Sequence, residues 1–157
     1  MLKSAIDSFI NMRIIEGEKL KNDIFARADS ILENVAFIEE RSPQTVTEYN
    51  EKLKKRIRDL IGDANVDEQR LLTEAAIFAD KIAVDEETVR LKSHIAQLTE
   101  LLSGDAAVGR KLDFVVQEMN REANTIGSKA SDIEIARIVV DIKAEIEKIR
   151  EQIQNIE

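Results

Sequence analysis

The most constraining feature of this sequence is a run of β-branched residues near its C-terminal end, spaced alternately by four and three positions. This heptad spacing, sustained for three repeats, predicts a long helix with one apolar seam. Such a seam needs a partner helix of similar length. The first part of the chain is the only other segment long enough, and another subunit is the alternative. The seam residues are Ile135, Val139, Ile142, Ile146, Ile149, Ile153 and Ile156.

The N-terminal segment has the helical spacing that such a partner requires. Its apolar residues recur every three or four positions, and Ile6 and Phe9 extend the series toward the N-terminus. Ser42 suits a helix cap and Pro43 suits a first helical turn, so we predict that the first helix ends here and that a second runs to about Gly62. The expected core positions of the first helix are Leu20, Ile24, Ala28, Ile31, Val35 and Ile38.

Four further helices are predicted after the loop GDAN, and three of them carry helix-start signals. Asn65 with Glu68 resembles a capping pair, Asp85 resembles an N-cap, and residues 131–134 have the pattern of a capping box. The loop SGDAAVG precedes the helix in residues 109–130. The expected core positions are Leu71, Leu72, Ala75, Ala76 and Phe78, then Val84, Thr88, Leu91, Ile95, Leu98 and Leu102, then Leu112, Val116, Met119, Ala123 and Ile126.

Few helix-breaking residues interrupt these patterns. The chain has one Pro and five Gly in 157 residues, and no segment alternates as a strand would. The sequence therefore predicts an all-α, elongated helical bundle with long N-terminal and C-terminal helices, arranged as a coiled-coil-like hairpin. Residues 1–157 are expected to form a single domain.

Composition narrows the class of protein. There is no Cys, which excludes a disulfide framework or a zinc ribbon, and no apolar run approaches the roughly 20 residues that cross a bilayer. A cytoplasmic protein without a membrane anchor is therefore expected. The net charge of -8 disfavours non-specific coating of nucleic acid but allows a local basic groove.

The only histidine, His94, lies in a polar row beside an apolar stripe. Glu87, Arg90 and Gln97 share that face by helical spacing. A histidine can donate or accept a proton near neutral pH, which makes His94 a candidate catalytic residue. The alternative is a histidine at the edge of the core beside an ordinary ion pair.

The segment 109–130 is unusually polar next to its own apolar stripe. Glu118 and Glu122 are four residues apart, so both carboxylates can point at one spot. A divalent cation between them would offset their repulsion. An Arg or Lys from a neighbouring helix would do the same, and Arg121 partly supplies it.

Two further groups of basic residues stand out. Arg13 occupies a position where the apolar period predicts a core residue, so it needs a charged partner in the protein or in a ligand. The basic run within residues 52–58 could contact phosphates, but it has no interleaved aromatic residues. A solvated helix face is the simpler interpretation of that run.

Four motifs resemble the YicC family of bacterial endoribonucleases. They are 13-RIIEG-17, 87-ETVRLKSHI-95, GRKLDFVVQEMNREANTIGSK and 149-IREQIQNIE-157, in the family's order. The resemblance covers the C-terminal part of a family member, and the family's N-terminal region is expected to lie outside this chain. It implies RNA cleavage that depends on a divalent metal (Mn or Mg), a cytoplasmic location and a homo-oligomer, namely a hexamer.

The resemblance also implies roles for residues within these motifs. His94, Glu118 and Arg121 are expected to be catalytic, with His94 moving a proton. Metal ligands are expected to be Glu118, Glu122 and Glu87. The expected RNA-binding residues are Arg13, Arg90, Arg110, Lys111, Asn120, Asn124 and Lys129. The alternative function is a helical oligomerisation module, or an RNA- or partner-binding module, without catalytic activity of its own.

Overall fold

The computed structural model describes residues 1–62, 67–104 and 108–156, and within them it is an all-α bundle, as the sequence predicts. Five helices follow one another with short connections. They are α1 (Leu2–Ile61), α2 (Glu68–Ile82), α3 (Asp85–Ser103), α4 (Gly109–Lys129) and α5 (Ile133–Ile156).

The isoleucine seam of α5 packs against other helices of the same chain. Its members from Ile135 to Ile153 are buried, and α5 packs against both α1 and α4. The prediction that the first helix is the partner is therefore confirmed, although α4 shares the seam. The bundle is completed by α3, which packs against α4 and α1, so each of the four helices has two neighbours. The core stripes predicted for α3 and α4 are buried throughout.

The predicted helix break at Ser42 and Pro43 is wrong. α1 continues through both residues to Ile61, with Pro43 inside the helix. A proline removes one backbone hydrogen bond, but tertiary contacts on both sides of it hold the helix together. Ser42 and Thr45 are buried, and Arg41 donates to both carboxylate oxygens of Asp132 at the start of α5. Packing against α5 thus overrides the local signal.

The helix starts differ from the sequence signals by one or two residues. α2 begins after Asp67, whose carboxylate accepts from two backbone N–H groups, while Asn65 lies outside the described residues. Val84 occupies the N-cap position of α3 without a side-chain cap, and Asp85 is the first helical residue. At α5 the carboxylate of Asp132, rather than the hydroxyl of Ser131, accepts the backbone N–H of residue 135.

The N-terminal part of α1 extends beyond the bundle. Ile6 and Phe9 are 50% and 56% exposed, so their predicted place in the stripe does not put them in the core. The buried stripe of α1 begins at Ile24. The main packing partner of α2 is α1, where Tyr49 stacks on Phe78. The predicted apolar positions of α2 are at most half-buried. No helix in the described ranges has the length and apolarity needed to cross a membrane.

Candidate functional site

The packing of α3 against α4 builds the site. Each helix buries an apolar stripe, so the polar residues directly beside the two stripes meet along the line of contact. His94 comes from α3, and Glu118 and Glu122 come from α4. The sequence predicts that each helix has a polar edge, and the tertiary structure brings the two edges together.

His94, Glu118 and Glu122 form a compact group of possible metal ligands. One ligand atom from each residue lies within 4.8 Å of the others. Glu122 is buried, at 6% exposure, whereas His94 and Glu118 are half-buried. The two carboxylates converge because they are one helical turn apart, as their spacing predicts. A group with one buried member and two accessible ones can hold an ion at the protein surface.

Arg90 connects this group to a second set of charges. Its Nε donates to Glu122 Oε1 at 3.0 Å, and its two terminal nitrogens donate at 3.4 Å to Glu86 and to Glu87 Oε1. The hydrogen bond to Glu122 is the main cause that raises the pKa of Arg90. Three of the five N–H donors of Arg90 are engaged by carboxylates, and its expected role in RNA binding stays a prediction. An arginine from the neighbouring helix therefore offsets the charge of Glu122, as one sequence-based alternative anticipates.

Glu87 is the most buried charged residue on α3, at 3% exposure. Its Oε1 accepts from Lys129 Nζ at 2.6 Å as well as from Arg90. Its Oε2 is buried and has no hydrogen-bond partner among the residues that the structure describes. Burial opposes the charged form of Glu87, but the hydrogen bond from Lys129 and the nearby positive charges outweigh it and lower the pKa.

The expected metal-ligand role of Glu87 stays a prediction. Seven residues, or about 10 Å along the helix, separate it from His94. In the structure Glu87 accepts hydrogen bonds from Arg90 and Lys129 and thereby positions these two side chains. The ammonium group of Lys129 donates to Glu87 and to the carbonyl oxygen of Ala83. The RNA-binding role expected for Lys129 stays a prediction.

The other polar residues predicted on α4 line its open surface. Asn120, Arg121 and Asn124 border a groove of about 500 Å³. Gln117, Thr125 and Ser128 complete it; sequence reasoning missed these three, although their helical spacing from Asn120 and Asn124 could have identified them. Arg110 and Lys111 lie at the start of α4, beside a second groove that includes Phe114.

Arg13 does not join the site. It is exposed on the N-terminal extension of α1, where its guanidinium lies 6.0 Å from the ring centre of Phe9. Lys92, close to His94 on α3, pairs with Glu39 of α1. Glu39 lies 39 − 13 = 26 residues after Arg13, so about 39 Å of helix separates Arg13 from this level of the bundle. Arg13 is therefore remote from the α3–α4 contact within this chain, and its expected RNA-binding role stays a prediction.

Comparison with known proteins identifies the family. The family profile described as "Endoribonuclease YicC-like, C-terminal" matches residues 38–157. A protein named "Probable endoribonuclease YicC" from Clostridioides difficile is 51% identical over 162 aligned residues, covering 100% of this chain and 55% of that protein. One of the same name from Haemophilus influenzae is 41% identical over 152 residues, covering 97% of this chain and 52% of that protein. The chain spans about half the length of these curated relatives, and it belongs to the YicC-like endoribonuclease family.

Proposed function

We propose that this chain contributes the metal-binding centre of a divalent-metal-dependent endoribonuclease. The observation that carries the proposal is the convergence of His94, Glu118 and Glu122 across the α3–α4 contact. Membership of the family supports RNA as the substrate, since both relatives are named as probable endoribonucleases.

The donor set fits a divalent cation. Two carboxylates and one imidazole supply three ligand atoms within 4.8 Å of one another, a span close to that of ligands around one ion with bonds of about 2.1 Å. Carboxylates suit Mg²⁺ and Mn²⁺, whereas an imidazole nitrogen favours the transition metal. We therefore propose Mn²⁺ ahead of Mg²⁺. This assignment makes His94 a ligand, in place of the proton carrier expected from the sequence.

The neighbouring charges support binding of a cation and then of a phosphodiester. Glu86, Glu87, Glu118 and Glu122 contribute −4, and Arg90 and Lys129 contribute +2, so the group has a charge of −4 + 2 = −2. A divalent cation would neutralise this charge, and the neighbouring Arg121 would then supply a positive charge that suits an anionic phosphate. When bound, such a cation polarises a phosphate oxygen or lowers the pKa of a water molecule.

Other residues of the chain orient the ligands and the RNA. Arg90 holds one oxygen of Glu122 and thereby limits the rotation of that carboxylate. Arg121 is exposed one turn after Glu118, and it forms no ion pair among the residues that the structure describes. Its guanidinium is free to bind a phosphate and to stabilise charge that develops there. Arg110 and Lys111 would extend this positive surface along α4.

The test combines cleavage with direct metal binding. An end-labelled structured RNA is incubated with the purified chain and Mn²⁺, Mg²⁺ or EDTA, and Mn²⁺ binding is measured separately by calorimetry. Glu118→Gln should lose both cleavage and most of the Mn²⁺ affinity, because it removes a charged ligand. The control is Glu151→Gln on the exposed face of α5, which should retain both. Wild-type cleavage and Mn²⁺ affinity in Glu118→Gln would exclude this centre.

A second candidate function, helical assembly, is supported by the N-terminal extension of α1. Seven of its large apolar side chains are about half exposed or more, which is unusual for a helix surrounded by water. Together with the hexamer that the resemblance implies, they support a homo-oligomeric contact. Replacing Phe9 and Ile10 with Glu should lower the mass measured by light scattering, and an unchanged mass would argue against this contact. The residues are Leu2, Ile6, Phe9, Ile10, Met12, Ile14 and Ile15.

A further inference from the structure

The open face of α4 is composed of uncharged hydrogen-bonding residues to an unusual degree. Five of the six side chains that line its groove are amides or hydroxyls, and only Arg121 is charged. Yet 34% of the whole chain is charged, and the exposed face of α5 consists largely of Lys, Arg, Asp and Glu. The groove residues are Gln117, Asn120, Arg121, Asn124, Thr125 and Ser128.

These residues are poor choices for helix stability alone. Asn, Thr and Ser rank below Ala, Lys and Glu in helix propensity, because their side chains compete for the backbone or lose rotamer freedom. Asn120 and Asn124 occupy the middle of α4, far from either end where an Asn could cap the helix. Residues that break a local rule without a structural gain are characteristic of functional positions.

The amide groups are available to a ligand. Among the described residues, the side chains of Gln117, Asn120 and Asn124 form no hydrogen bond within the protein, whereas Thr125 and Ser128 donate to backbone carbonyls of their own helix. Each amide offers a donor and an acceptor side by side. This pair matches the base edges of a nucleic acid, for example the N6 and N7 atoms of adenine, whereas phosphates select Arg and Lys.

The row of amides lies next to the proposed metal centre. Arg121 is three residues after Glu118, and Thr125 is three residues after Glu122, so both lie between the amides and the carboxylates on the helix surface. From Gln117 to Asn124 the helix rises about 10 Å, which is close to the rise of three stacked nucleotides. A strand lying along α4 would place bases on the amides while its backbone passes Arg121.

We infer that this amide row, Gln117, Asn120 and Asn124, binds the exposed bases of an unpaired RNA strand and selects among them. The inference rests on the proposed function for RNA as the substrate, and it adds a preference for single-stranded RNA with particular bases near the cleaved bond. Paired bases would have their Watson–Crick edges covered, and the narrow major groove of duplex RNA would exclude the side chains of α4.

The experiment measures base preference without cleavage. Fluorescence anisotropy in EDTA compares binding of labelled oligo(A), oligo(C) and oligo(U), each about ten nucleotides long, and of a duplex of the same length. Wild type should prefer one homopolymer about fivefold or more and bind the duplex more weakly. The double variant Asn120→Ala, Asn124→Ala should bind all three single strands alike, with an unchanged salt dependence. Arg121→Gln should instead keep the preference and reduce the salt dependence, as a phosphate contact does.

The matched control is Asn22→Ala, an exposed Asn in the interior of α1. It should keep the base preference, and both Asn→Ala variants should retain or raise the melting temperature, which separates lost binding from lost folding. Equal binding of all homopolymers by wild type, no binding of RNA at all, or a wild-type preference in the double variant would each overturn the inference. Cleavage assays of the same proteins distinguish the two proposals. Metal-dependent cleavage with no base preference would support the metal centre and overturn the amide row. Base preference without metal-dependent cleavage would support the amide row and overturn the metal centre.

Discussion

Removing the charge of Glu87 tests whether the buried carboxylate anchors the site. Breaking a buried ion pair from one side costs about 3–5 kcal/mol, because the remaining charge stays without a partner. Here Lys129 is 32% exposed and Arg90 is 47% exposed, so both can regain water after the change. The cost should fall to that of charge-assisted hydrogen bonds, about 1.5–3 kcal/mol, and the amide of Gln retains an acceptor. We expect Glu87→Gln to lose about 1.5–2 kcal/mol of unfolding free energy, measured by urea denaturation at neutral pH.

The neighbouring Glu86 provides the control. It also accepts from Arg90 at 3.4 Å, but its side chain is 84% exposed, so Glu86→Gln should cost less than about 0.5 kcal/mol. The pH dependence gives a second readout. The pKa of Glu87 is below its ordinary value of 4.5, so its contribution is present above that value and is lost as the pH falls through the lower, folded-state pKa. Equal losses in the two variants, or a difference between wild type and Glu87→Gln that persists in acid, would refute the reasoning.

Three further predictions concern the scaffold. Ile142→Ala should cost about 2–5 kcal/mol of unfolding free energy in urea, because the side chain is fully buried between helices of the same chain. A loss below about 1 kcal/mol would contradict the burial of the α5 seam within this chain. Gly127→Ala should destabilise despite its higher helix propensity, because the new Cβ would lie 3.1 Å from Cγ1 of the β-branched Val139, and adding Val139→Ala should recover stability in thermal melts. Asp132→Asn should lower the unfolding free energy above about pH 4, because the hydrogen bond from Arg41 lowers the pKa of Asp132 in the folded state below its ordinary 3.8. The difference between the variant and wild type should shrink as the pH falls toward 3. Stability curves of the two proteins that stay parallel from pH 7 to pH 3 would contradict this.

Most of the fold could be predicted from the sequence, because its information is periodic. The heptad spacing of α5 and the stripes of α3 and α4 identify buried residues correctly, since side chains three and four positions apart always share a helix face. The same rule identifies Glu118 and Glu122 as a converging pair. The errors fall where a local signal competes with tertiary packing. Pro43 signals a break, yet α1 continues through it, with Ser42 and Thr45 buried on either side.

What the sequence by itself determined, then, is which residues share a face on each helix, and therefore that the chain forms an all-α bundle. Only the tertiary structure decided which faces meet. His94 reaches Glu118 and Glu122 because α3 packs on α4, and Arg90 binds carboxylates because the same contact places Glu122 beside it. Arg13, on an equally suggestive stripe, lies beyond the bundle. Periodicity acts over a few residues along one helix, whereas these contacts join residues that are distant in sequence and depend on the packing of whole helices.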